Sequence, residues 1–224
     1  MNKETIALLA LLSGLSGCSS PGTDKIAGIP YTNASTWTFM YSSGNSPELT
    51  QSASGGITFR FPSGSRDNNV KYLVTRARNP LTSANNIVAN ITVEKEQPST
   101  EFRYDTNPNN TGDYPANMRL YIQRLGDDLS GIGNMQYYRW WATNNWKLDN
   151  AQVNLQTALS DPSMWTSVYG VKADSSPEAL AAFNDAKREC EGIGFTFGGG
   201  FFAGHGVYCA NGTARFTLND FKVT

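Results

Sequence analysis

Apolar and polar residues alternate along much of this chain with the two-residue period of a β-strand. The alternating segments are residues 57–61, 70–74, 87–93, 118–122, 153–159, 193–197 and 214–218. Successive side chains of a strand point to opposite faces, so this pattern predicts half-buried strands in antiparallel sheets. At Asn219-Asp220 the apolar positions change from even to odd numbers, which predicts a bulge in the last strand.

One segment has helical periodicity instead. Ser176 can cap a helix, Pro177 suits its first turn, and residues 178–188 place apolar side chains at helical spacing. We therefore predict one short helix over 177–188. Its predicted apolar stripe consists of Leu180, Phe183 and either Ala186 or Lys187.

The strand pattern continues from residue 31 to residue 224 without a linker-like change in composition or an internal repeat. About 194 residues suit one large β-sandwich better than two small domains. The predicted fold class is therefore mainly β, an antiparallel sandwich with one helix.

The composition excludes several functions. Charged residues make up 17% of the chain, against about 25% in an average soluble domain, and the net charge is −1. This balance supplies no field for binding nucleic acid or anionic lipid. One histidine and three cysteines also leave little material for a zinc site of the usual kind.

The first seventeen residues have the character of an export signal. Lys3 lies in a short polar start, residues 5–12 are apolar, and small residues lead to Cys18. The apolar run is far shorter than the roughly 20 residues that span a bilayer.

The segment Leu15-Ser16-Gly17-Cys18 resembles a bacterial lipobox. The resemblance implies a signal peptide over 1–17, a lipidated Cys18 with a flexible tether over 18–30, and a β-sandwich domain over 31–224. Ser19 after the cysteine implies an outer-membrane address within the bacterial cell envelope, with lipid anchoring the protein to the membrane. The alternative is an ordinary secretory signal with an incidental cysteine.

The region from Met118 to Trp165 holds most of the candidate binding residues. On neighbouring strands, its alternation places aromatic rings and planar polar groups on one face, a combination that suits sugars. The alternative is that the sandwich simply buries its tryptophans. The candidate ligand-binding residues are Arg119, Tyr121, Gln123, Arg139, Trp141 and Trp146.

The closing stretch, residues 212–223, resembles the last strand of jelly-roll carbohydrate-binding modules and galactose-binding-like domains. This resemblance implies a jelly-roll-type sandwich that binds a glycan. It also makes Asp220 a candidate ligand of a structural calcium ion, because a similar position often serves that purpose in such modules. No other cofactor is predicted.

Two further classes of function compete with glycan binding. His205 and Tyr208 are the catalytic candidates of a jelly-roll polysaccharide lyase or glycoside hydrolase, although the Gln-x-His strand of alginate lyases is missing. Asp127 and Asp128 fit a solvated turn better than a pair of catalytic carboxylates. A structural envelope lipoprotein with a protein partner is the third class.

Cys190 and Cys209 flank a glycine-rich pair of predicted strands. In an exported protein they are candidates for a disulfide. Two reduced, buried thiols are the alternative, since spacing alone does not establish connectivity.

Overall fold

The computed structural model describes residues 31–42, 44–64, 67–77, 80–104, 115–200 and 203–224. The predicted signal peptide, Cys18 and the tether lie outside them. The strands in these ranges are β1 (Trp37–Met40), β2 (Thr50–Gln51), β3 (Ile57–Arg60), β4 (Tyr72–Arg76), β5 (Asn86–Lys95), β6 (Glu101–Tyr104), β7 (Asn117–Arg124), β8 (Arg139–Ala142), β9 (Trp146–Lys147), β10 (Ala151–Ala158), β11 (Trp165–Thr166), β12 (Cys190–Gly198), β13 (Val207–Ala210) and β14 (Ala214–Val223).

The strands form two main antiparallel sheets. The front sheet has the order β1-β4-β12-β7-β8-β11, with β9 paired to one end of β7, and the back sheet has the order β10-β5-β14-β3-β2. The chain crosses repeatedly between them, as from β3 to β4 to β5 to β7. A separate ribbon pairs β13 with β6. This arrangement confirms the predicted jelly-roll-type sandwich.

The two sheets bury a single aromatic-rich core between them. Phe39 of the front sheet meets Phe59 of the back sheet with ring centroids 5.0 Å apart, and Phe195 lies 5.9 Å from Phe216. These side chains occupy alternate positions of their strands, as the sequence pattern predicts. Burial of such large apolar side chains supplies the main favourable term in folding.

Strand β4 departs from the predicted pattern because both of its faces are covered. Leu73 lies in the main core, whereas Tyr72 and Val74 belong to a second apolar cluster on the outer face of the front sheet. The sequence pattern predicts that Val70 shares a face with these two residues, but Val70 packs into the main core. Antiparallel sheets commonly leave one face in solvent, so the covered outer face of β4 is a departure from the usual arrangement.

The predicted helix is α1 (Pro177–Arg188), the one α-helix in the described ranges. The hydroxyl of Ser176 accepts a hydrogen bond from the Ala179 amide at 3.1 Å, as expected of an N-cap. The helix buries Ala179, Phe183 and Ala186. Leu180, which the sequence pattern assigns to the buried stripe, is 38% exposed because Ala179 occupies the inward position.

The predicted bulge is present. The pairing of β14 with β5 shifts register between Leu218 and Asp220. The Asp220 carboxylate forms an ion pair with Lys222. The described residues contain no cluster of three carboxylate, histidine or cysteine side chains suited to a metal ion, so the calcium site stays a prediction.

Cys190 and Cys209 are both free thiols, so the predicted disulfide is wrong. Cys190 begins β12, whereas the loop before β13 hydrogen-bonds to Phe197 at the other end of that strand. Seven strand residues span about 23 Å, far more than a disulfide bridges. Burial raises the pKa of each thiol to about 12.

No helix in the described ranges is both long enough and apolar enough to cross a bilayer.

Candidate functional site

Five of the six predicted ligand-binding residues share the outer face of the front sheet. Tyr121 of β7 lies directly opposite Trp141 of β8, and Gln123 lies opposite Arg139. Arg119 is two residues before Tyr121 and therefore points to the same side. The alternation in the sequence thus predicts this face correctly.

Trp146, the sixth candidate, lies on the other side of the sheet. It pairs with Met118, a residue of the main core, and its partly buried ring packs against that core. Residues directly opposite each other in a sheet point to the same face, so Trp146 is directed inward.

The centre of the outer face is covered. Tyr121 is fully buried and Trp141 is 5% exposed, with their ring centroids 5.6 Å apart. Tyr72 adds a third ring, 5.2 Å from Tyr121. The ring of Tyr41 meets Tyr72 edge-on, and a Cβ at Gly204 would lie 2.2 Å from the Tyr72 hydroxyl. Two loops therefore pack directly onto the rings.

A buried ion pair occupies one side of this face. Arg139 Nε lies 3.0 Å from Asp127 Oδ2, and the Asp127 side chain is 1% exposed. Gln123 donates to the same carboxylate at 2.9 Å, and Arg139 donates to the Leu129 carbonyl at 2.9 Å. Asp127 is thus not part of a solvated turn, and both Gln123 and Arg139 serve to hold the 126–131 loop.

An open cleft lies on the opposite side of the face, between β7, β8 and the turn that follows β11. Its volume is about 520 Å³. We call it the Tyr169 cleft. Its described lining residues are Arg119, Trp141, Thr143, Thr166, Ser167, Val168, Tyr169, Gly170 and Ala203.

The turn holds the Tyr169 ring out in solvent at the edge of the cleft. Thr166 forms an antiparallel bridge with Lys172, and the Gly170 amide donates to the Ser167 carbonyl at 2.9 Å. Gly170 has a φ of +75°, which glycine adopts without steric cost. The result is a tight turn with Tyr169 67% exposed at its tip.

Two residues that line the cleft carry buried polar atoms without partners. Within the described part of the chain, Trp141 Nε1 and Ser167 Oγ, both on lining residues, have no hydrogen-bond partner. Tyr121 Oη and Thr196 Oγ1 also lack partners among the described residues. These two residues do not line the cleft, but they lie opposite Trp141 and Arg119, which do. Buried polar groups in native proteins are nearly always hydrogen-bonded, so these atoms have room for a partner such as an ordered water or a bound ligand.

Two other clefts do not combine an exposed aromatic ring with buried polar atoms that have no partner. One, of about 680 Å³, lies beside Tyr41, Gln123 and Asp127, but these last two side chains already bond to each other. Another, of about 600 Å³, lies on the back sheet, where Arg60 is ion-paired with Glu96 at 2.9 Å. The Tyr169 cleft is therefore the strongest candidate site.

The catalytic candidates lie in different settings. His205 is exposed in the loop before β13, whereas Tyr208 is buried within β13 opposite Arg103. Neither residue lines the Tyr169 cleft.

Sequence reasoning missed the turn residues, Ser167 and Tyr169 above all. An aromatic residue followed by glycine between two short β-prone segments was the available signal, since it is typical of a turn that exposes a ring. No periodic pattern marks a turn, which explains the omission.

No protein-family model matches the sequence, and no curated protein matches it significantly. Among solved structures, the chain is similar to the family 11 carbohydrate-binding module of a cellulosomal cellulase of Clostridium thermocellum. The identity is 12%, the TM-score is 0.41, and the match covers 90% of this chain and 91% of that one.

A second similar structure is the xyloglucanase domain of a type three effector from Sinorhizobium fredii, solved with cellobiose. Here the identity is 11%, the TM-score is 0.34, and the match covers 84% of this chain and 92% of that one. Similarities this distant do not bear on function, which has to be inferred from the geometry of the chain itself.

Proposed function

We propose that this protein is a carbohydrate-binding β-sandwich that takes its glycan into the Tyr169 cleft. The observation that carries the proposal is the pairing of an exposed ring with buried, unpartnered polar atoms around one open cleft. Sugars present a face of C–H groups that stacks on a ring and a rim of hydroxyls that bonds to polar groups.

The dimensions of the cleft suit a small ligand. Its volume of about 520 Å³ falls within the range of about 300–1,000 Å³ for small-molecule sites. The indole N–H of Trp141 and the hydroxyl of Ser167 supply donors and an acceptor, and the Tyr169 ring supplies the stacking surface. A hydrogen bond from the ligand would remove the cost of leaving these buried groups unpaired.

Tyr169→Ala is expected to weaken glycan binding about ten-fold. An aromatic contact contributes about 0.5–1.5 kcal/mol beyond the area it buries. Ligands would first be found on a glycan array, and affinities then measured by isothermal titration calorimetry. Tyr169→Phe keeps the ring and should bind within about two-fold of the wild type by the same reasoning.

Leu125→Ala is the matched control, because Leu125 is an exposed apolar side chain next to Glu189, away from the cleft. Failure of the wild-type protein to bind any glycan on a broad array would contradict the proposal.

We propose further that lipid on Cys18 anchors this module to the bacterial outer membrane. The support is the lipobox-like segment Leu15-Ser16-Gly17-Cys18, followed by Ser19. Mass spectrometry of the mature protein is expected to show an acylated N-terminal Cys18. A Cys18→Ala variant should lose the modification and leave the membrane fraction; an unmodified wild-type cysteine in that fraction would refute the anchor.

A further inference from the structure

Arg119 is the one charged residue among the described residues that line the Tyr169 cleft. Its side chain is half-buried at the base of the cleft, on the outer face of β7. The described lining residues include no aspartate or glutamate, so Arg119 gives this part of the cleft a positive charge.

The guanidinium group is held from one side. Its Nη2 atom donates to the Gly200 carbonyl at 2.6 Å, and no carboxylate of the described residues forms an ion pair with it. Burial lowers the pKa of Arg119, and no carboxylate of the described residues counteracts that effect. Because the Gly200 carbonyl accepts from Nη2 alone, most of the five N–H donors of the Arg119 guanidinium stay available.

The other half-buried arginines in the described part of the chain have acidic partners. Arg139 pairs with Asp127, Arg124 with Glu189, Arg103 with Glu101 and Arg215 with Glu96, at 3.0, 2.8, 2.6 and 3.9 Å. Partly buried cations are usually paired, because removing a charge from water without compensation is costly. Arg119 therefore differs from these arginines in having no acidic partner among the described residues, and it lies in the candidate site.

We propose that Arg119 makes the Tyr169 cleft selective for glycans that carry an acidic group, a carboxylate or a sulfate ester. This inference rests on the proposed glycan-binding function. The acidic group would accept hydrogen bonds from the free edge of the guanidinium, whose fork geometry matches two acceptor oxygens. The sugar ring attached to it would lie against Tyr169.

The test compares ligands that differ only in the acidic group. Binding of tetragalacturonate is measured beside its fully methyl-esterified form, and binding of dextran sulfate beside dextran, by calorimetry at low and high salt. We expect at least one acidic ligand to bind about 10- to 100-fold more tightly than its neutral counterpart, with the preference shrinking as salt is added.

Arg119→Gln should abolish the preference for the acidic ligand, and Arg119→Lys should retain part of it because the charge remains. Arg60→Gln is the control, since Arg60 is an exposed arginine of the back sheet, remote from the cleft, and should change nothing.

Equal affinity for acidic and neutral ligands, or a preference that survives Arg119→Gln, overturns the inference while the proposed function stands. Absence of binding to every glycan overturns the proposed function and the inference with it.

Discussion

Asp127→Ala is expected to lower the free energy of unfolding by about 3–5 kcal/mol, the usual cost of removing one partner from a buried ion pair. The Asp127 carboxylate is 1% exposed, and Arg139, Gln123 and the Leu129 amide all contact it. Without it, the Arg139 guanidinium would stay buried and unpaired. Denaturation by urea, followed by circular dichroism, measures the loss.

Asp128→Ala is the matched control for this prediction. Asp128 is the neighbouring carboxylate, but it is exposed, and its hydrogen bonds with the described residues come from Ser130 in its own turn. Its removal should cost less than about 1 kcal/mol. Adding Arg139→Met to Asp127→Ala should recover much of the stability, because an apolar replacement leaves no buried charge. A loss below 1 kcal/mol in the single Asp127 variant would contradict the interpretation.

The ion pair also supports the Tyr169 cleft. The loop that Asp127 and Arg139 hold contains Gly131, and a Cβ at Gly131 would lie 3.3 Å from Val168 and 3.5 Å from the Tyr169 hydroxyl. The loop thus packs against the turn that carries the exposed ring. Arg139 has a positioning role for the cleft, and Arg119 is the arginine available to a ligand.

Trp140→Ala is expected to destabilise the fold by about 3–5 kcal/mol, as large aromatic-to-alanine changes in cores do. Trp140 is fully buried, and its indole N–H donates to the Tyr137 carbonyl at 2.8 Å. Its ring meets Phe183 of α1 at 5.2 Å, so it joins the helix to the front sheet. Thermal unfolding followed by calorimetry measures the effect.

Trp140→Phe should recover part of the stability, because it keeps a ring against Phe183 while losing the hydrogen bond and some volume. Trp141→Phe is the matching substitution at the next residue of β8, whose side chain points to the opposite face of the front sheet. It should remove the unpartnered indole N–H at the cleft, and its larger effect should be on ligand binding. Equal loss of stability in Trp140→Phe and Trp141→Phe would show that the two faces of β8 do not differ as described.

The alternation of residues was a good predictor of the outward face of β7 and β8, although fourteen residues separate these two strands along the chain. Strands β7 and β8 are consecutive neighbours in the front sheet, so the period of two was enough to place Arg119, Tyr121 and Trp141 on one face. The same reasoning failed for Trp146, because β9 pairs back to the far end of β7 with Trp146 beside Met118. Three residues separate β8 from β9, so the face of Trp146 is decided by how β9 packs and not by the length of the connection.

Contacts between distant parts of the chain produced the remaining features of the site. Tyr72 reaches the outer face from β4, which β12 separates from β7. Contacts across the fold also bring the two loops onto the rings and place the Asp127 carboxylate beside Arg139. The same packing places no carboxylate of the described residues beside Arg119. Local propensity carries no information about such pairs.

The sequence by itself determined the seven strands with alternating residues (β3, β4, β5, β7, β10, β12 and β14), the helix, the bulge and the shared face of β7 and β8, because each follows from backbone periodicity or local capping. Only the tertiary structure decided which part of that face is open. It closed the centre with loops, paired Arg139 with Asp127, separated Cys190 from Cys209 and left Arg119 beside Tyr169 in a cleft. Burial and ion pairing arise when distant segments pack together, and the Tyr169 cleft is formed by the same packing.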